Sequence, residues 1–173
     1  MLTFDAVHLH LVMVHLPIVV TPIALLLLAW GAFRQSRDLQ SAALALFLLC
    51  AGGSFISKQS GERAEDLLEH RVDASFGSEA LQHEHEEMAE KATVVSLLLG
   101  ALSLWGILRS RPSSALLGSQ LLLGVVATGM LAYTGYLGGQ IRHSEVRGST
   151  SSPTQADSPE WKREIEREDD DGK

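Results

Sequence analysis

The chain alternates between long apolar stretches and short polar ones. Uninterrupted apolar runs occupy residues 11–33, 39–56, 92–108 and 114–141. A bilayer core about 30 Å thick takes about 20 residues of α-helix, so each run is long enough to cross, the second and third only just. Apart from Cys50 and the tyrosines, the runs contain one ionisable residue, His15. A water-soluble bundle needs a charged face on each helix, and these runs offer none. The pattern predicts an all-α, integral membrane four-helix bundle over residues 1–147. Residues 148–173 form a disordered or short-helical acidic tail in this reading. Within that tail, Ser158-Pro159-Glu160-Trp161 reads as a helix start, with a cap, an N1 proline and an early acid.

The first run resembles a signal peptide only loosely. It has no basic segment before it and is too long for a cleaved apolar core, so it reads as a retained helix. Acidic residues 62, 65, 66 and 69 continue the second helix as a polar extension outside the membrane.

Four crossings put both termini on one side, here side A. Side B then holds two short turns, one with Arg34, Arg37 and Asp38, the other with Arg109 and Arg111. Side A holds the loop at 57–91, with four basic residues against ten acids, and the acidic tail. Arginines packed into very short loops weigh most in the positive-inside rule, so side B is expected in the cytoplasm. The expected location is the bacterial inner membrane, with both termini on the periplasmic or exterior side. The net charge of −7 argues against nucleic acid as a partner. Cys50 is the single cysteine and cannot form an intrachain disulfide. No phosphate loop, CxxC pair or nucleophile–base–orienter set is present, so no hydrolase is expected.

In this topology all seven histidines (8, 10, 15, 70, 83, 85 and 143) fall on side A. At 100° per residue, His85 shares a face with Met88, Ala92 and Ser96 and is expected to point into the bundle, while His83 points to water. Glu87 and Lys91 form an i,i+4 pair on the wet face. On the first helix His8 and His15 share one stripe and His10 points elsewhere. His15 lies deepest, and an ionisable group inside a membrane marks function by default. Pro17 and Pro22 follow it and free the carbonyls of Met13 and Ile18. On the fourth helix Val125, Thr128, Ala132, Tyr136, Gly139 and His143 are expected on one small-residue face. Gly135 and Gly139 form GxxxG, and Gly53, Ser57 and Gly61 repeat the spacing on the second helix. Such faces also suit a homo-oligomer.

These motifs resemble those of the bacterial predicted membrane proteins grouped as domain of unknown function 2231. The resemblance rests on His10-Leu-Val-Met-Val-His15-Leu-Pro17, Gly-Glu-x-Ala-Glu at 61–65, His-Glu-x-x-Ala at 85–89, and Gly-Gly followed by a histidine at 138–143. It spans roughly residues 5–147 and implies a four-helix membrane domain with a redox or haem-related role. Where a glycine is expected after the final histidine, this chain has Ser144-Glu145.

Three functions fit these residues. In the first, b-type haem sits between two axial imidazoles drawn from His10, His15, His85 and His143 and transfers electrons to a redox partner. Tyr136 then bonds a propionate or a neighbouring group, and Gly138 and Gly139 make room for the macrocycle. In the second, a transition-metal ion (Zn, Cu or Fe) is held by a set drawn from His8, His10, His15, Glu62, Glu65, His85, Glu86 and His143. In the third, the chain is an interaction subunit of a membrane complex with no cofactor. Haem ranks slightly ahead of the metal ion on the sequence alone.

Overall fold

A computed structural model describes residues 6–69, 79–109 and 113–142. It contains α1 (Ala6–Phe33), α2 (Arg37–Glu69), α3 (Glu79–Leu108) and α4 (Ser114–Arg142). The helices outrun the apolar stretches that nucleate them, because polar turns at their side A ends are themselves good helix. Lys58 with Glu62 and Lys91 with Glu87 are i,i+4 ion pairs that support these extensions. By length and composition, His8–Phe33, Arg37–Arg63, Ala80–Leu108 and Ser114–Ile141 are each able to span a bilayer.

Each helix packs on the next and α1 closes on α4, while among the described residues the backbones of diagonal helices do not approach closely and only side chains such as Phe47 reach across. The result is a four-cornered bundle around one core of Ala24, Leu28, Ala43, Leu44, Phe47, Leu99 and Ala127. Its outside is as apolar as its inside: Leu26, Phe33, Leu108 and Leu122 are each exposed by about 70% or more. Lipid supplies no hydrophobic drive between helices, so association depends on close packing. Gly100 provides it against Ala51, where an added Cβ falls 2.5 Å from the alanine methyl, and Gly124 against the ring of Phe47.

α1 ends in a Schellman turn. Ser36 N–H bonds to Gly31 O at 2.9 Å, and Gln35 N–H bonds to Ala32 O at 3.2 Å. Gln35 takes the left-handed conformation, φ 51°, that this turn reserves for glycine. Gln35→Gly is therefore expected to stabilise the protein by about 0.5–1 kcal/mol, read as a higher unfolding midpoint in detergent. The turn also receives Gln40, whose Nε2 donates to Gly31 O at 3.1 Å.

Two helix orientations differ from expectation. The inner face of α1 is Val14, Pro17, Thr21, Ala24, Leu28 and Gly31, a stripe that runs back to His10 and not to His15. His8 and His15 do share a stripe, but it is the exposed one. A helix apolar on all sides carries no preference of its own, and the compact residues Pro17, Thr21 and Ala24 are the ones that let α2 approach. On α4 the expected functional face points outward: Val125 and Tyr136 are more than half exposed, and Gly139 meets nothing within 4 Å. The inner face is instead Gln120, Gly124, Ala127, Leu131, Thr134 and Leu137. Fully buried Gln120, whose Nε2 donates to Leu102 O at 2.9 Å, sets that phase. An amide facing lipid would have no such partner. Of the GxxxG pair only Gly135 packs, against Ile18.

Candidate functional site

At the side A end the bundle holds a partly open cavity of about 50 Å³. Two imidazoles line it, His10 from α1 and His85 from α3. Each is held by the helix that follows its own. His10 Nδ1 lies 2.9 Å from Ser57 O on α2, and His85 Nδ1 lies 3.0 Å from Thr134 O on α4. A carbonyl oxygen only accepts, so in both rings Nδ1 carries the proton and donates it. In each neutral ring Nε2 then keeps its lone pair. This is the arrangement that metal-ligating histidines adopt, with the second nitrogen committed to a backbone carbonyl that fixes tautomer and orientation.

Glycine makes both bonds sterically possible. A Cβ on Gly61 would sit 3.0 Å from His10 Cε1, and one on Gly138 would sit 3.1 Å from His85 Cε1. Ser57 and Gly61 are one helical turn apart, as are Thr134 and Gly138, so carbonyl and gap lie on the same face.

Hydroxyls complete the walls. Thr93 and Thr134 spend theirs on their own helices, on Ala89 O at 2.8 Å and Met130 O at 2.9 Å. Ser54, also on the wall, is 3% exposed and its Oγ has no partner. It is a polar group of the lining left free to bond an occupant. At the rim Lys58 lines the cavity, pairs with Glu62 on its own helix and lies 4.0 Å from Glu90 on α3. Tyr133 donates to Glu84 at 2.6 Å and ties α4 to α3 beside it. Glu62, Glu84, Glu86, Glu87 and Glu90 are all exposed around this end. They outnumber Lys58, Arg63 and Lys91 and draw cations toward the mouth.

The remaining candidates lie elsewhere. His15 is exposed, its Nδ1 bonded to Leu11 O of its own helix at 2.6 Å. His8, His83, Glu62 and Glu86 are exposed, and Tyr136 accepts from Gln140 Nε2 at 2.7 Å outside the cavity. Gly138 backs an imidazole and Gly139 does not. His70, His143, the tail with Ser158-Pro159-Glu160-Trp161, and the side chain of Glu65 lie outside the described residues. Among the described residues no group of three or more His, Cys, Asp or Glu side chains is placed to hold a metal. His85 points inward and His83 outward, as its helix phase predicts. Ser54, Ser57 and Thr134 carried no chemical signature. The one clue in the sequence was Ser57-x-x-x-Gly61 recurring as Thr134-x-x-x-Gly138.

A family model described as Predicted membrane protein (DUF2231) matches residues 6–150. No curated protein and no solved structure matches the chain.

Proposed function

The chain belongs to the DUF2231 family of predicted membrane proteins, and from that premise we propose that it binds one transition-metal ion through His10 and His85 at the side A end of its bundle. The observation that carries this is the pair of Nδ1–H bonds to Ser57 O and Thr134 O. With Nδ1 committed in this way, Nε2 is the nitrogen of each ring left to take a ligand, and both rings line one cavity. Imidazole suits copper, zinc, iron and nickel. Ser54 is available for a water carried by the ion, and the acidic rim favours its entry.

The same two imidazoles have the chemistry of axial haem ligands. A cavity of about 50 Å³ has room for an ion or a water, which needs only about 10–15 Å³ on the same measure. Pockets for larger organic ligands run to roughly 300–1,000 Å³. The small volume between these rings favours an ion over a macrocycle, which supports the metal-ion reading. The arginines of the side B turns support a location in a bacterial inner membrane with this site on the periplasmic or exterior face.

The test is the purified full-length protein, assayed for metal content and absorption together. The expected result is a colourless or weakly coloured protein holding about one ion per chain. A Soret band that moves on reduction would return haem to the site. Absence of both, with no ion taken up on titration, would leave the chain as a packing or interaction subunit.

A further inference from the structure

The two histidines of the cavity occupy one setting, built twice. A step of 75 residues carries α1 onto α3: His8 and His10 become His83 and His85, Thr21 becomes Ser96, Trp30-Gly31 becomes Trp105-Gly106, and Arg34 becomes Arg109. A step of 77 residues carries α2 onto α4: Gly52 becomes Gly129, Ser57 becomes Thr134, and Gly61 becomes Gly138.

The structure gives the matched residues matching surroundings. Each inner histidine donates to the carbonyl of a hydroxyl residue on the next helix, and each lies against the glycine four positions further on. His8 and His83 are both exposed. Thr21 and Ser96 are both buried with unpartnered hydroxyls. Gly52 and Gly129 both face open space. Gly31 and Gly106 each lie against a glutamine of the following helix, Gln40 and Gln120; these two are 80 residues apart, off the 77-residue step, but each donates Nε2 to a carbonyl of the helix before it. Both hairpins begin on side A, and α1 and α3 stand at opposite corners of the bundle. This placement is that of an approximate two-fold along the bundle axis, relating the hairpins and with them His10 and His85.

We infer that the chain is a tandem repeat of one helical hairpin, and that its imidazole pair is a two-fold-symmetric site for a single monovalent d10 cation of the copper(I) class, bound by two equivalent Nε2 atoms. The identity of the ligand rests on the metal-ion reading above; the equivalence of the two rings rests on the repeat. Two neutral imidazoles supply no negative charge. A structural zinc site takes four ligands, and no third His, Cys, Asp or Glu joins these two among the described residues. The cost of removing an ion from water grows with the square of its charge, so a divalent ion here costs about four times as much as a monovalent one of the same size. Two nitrogen donors and one positive charge suit a d10 ion that accepts two-coordination.

The test uses the full-length protein with 15N-labelled histidine, titrated with silver(I) as a redox-stable probe and with zinc(II) for comparison. One equivalent of silver(I) is expected to shift Nε2 of His10 and His85 together, leaving His8, His15 and His83 unmoved. Gly61→Ala and Gly138→Ala each place a methyl about 3 Å from a ring carbon. Each is expected to weaken silver(I) by roughly tenfold, and both to a similar extent, as outer-shell changes at metal sites do. Helical content by circular dichroism checks that these variants fold, and His10→Ala and His85→Ala give the same comparison if they do not. A shift at one ring only, or a loss confined to one glycine variant, overturns the symmetric site while metal binding stands. Zinc(II) held more tightly than silver(I) overturns the monovalent assignment. No response to either ion removes the metal-ion reading and this inference with it.

Discussion

Replacing His10 with alanine is expected to abolish ion binding, while replacing His15 leaves it within about twofold, the range of a surface substitution. His10 lines the cavity and in the proposed site supplies one of the two Nε2 ligands; its loss leaves Ser57 O with Ser60 Oγ as its side-chain donor. His15 sits deeper in its apolar run, yet its ring lies on the exposed stripe of α1 and bonds only to Leu11 O of its own helix. Isothermal titration of both variants with silver(I) separates the two cases. Retained binding in His10→Ala, with loss in His15→Ala, would mean that α1 is rotated by more than a quarter turn from the arrangement seen here.

Phe47→Ala is expected to be among the most destabilising single substitutions in the molecule. Among the described residues Phe47 is the largest fully buried side chain, and its ring lies against the gap that Gly124 leaves on α4. Truncating such a residue in a water-soluble core costs about 3–5 kcal/mol, part from transfer to water and part from the cavity left behind. In lipid the transfer part shrinks, because the unpacked ring meets apolar chains, while the lost packing contacts remain. The expected cost is therefore at or below the lower end of that range, measured as the shift in unfolding midpoint in detergent. Leu122→Ala is the control: its side chain is 69% exposed to the outside, and its replacement is expected to change stability by no more than about 0.5 kcal/mol. Equal effects from the two would show that the bundle core is not packed around Phe47.

Helix phase was legible only where a helix has a polar side. α3 begins with Glu84, Glu86, Glu87, Glu90 and Lys91 around His85, and their hydration alone turns His85 inward. α1 has no such guide. Pro17 and Ala24 face the bundle and Val19 and Leu26 face outward, yet all four are apolar and the sequence ranks none above another. Depth in the apolar run therefore drew attention to His15, although depth along a helix says nothing about direction around it. The same lack of contrast hid the phase of α4 until Gln120 was seen buried against Leu102. The cavity itself was illegible for a further reason. Its fixing partners are backbone carbonyls, which every residue has, and they become specific only when Gly61 and Gly138 let a ring approach them.

By itself the sequence determined that four helices cross a membrane, that the histidines gather at one end of them, and that no charged face is available for water elsewhere. Those conclusions follow from length, transfer cost and the absence of ionisable groups, quantities that add along the chain without regard to shape. Which histidines line the cavity was decided only by tertiary structure. In lipid the facing of an apolar helix is settled by fit between surfaces, and fit is a property of two helices together. Gly61 beside His10 and Gly138 beside His85 are where that fit selects one imidazole from each half of the chain.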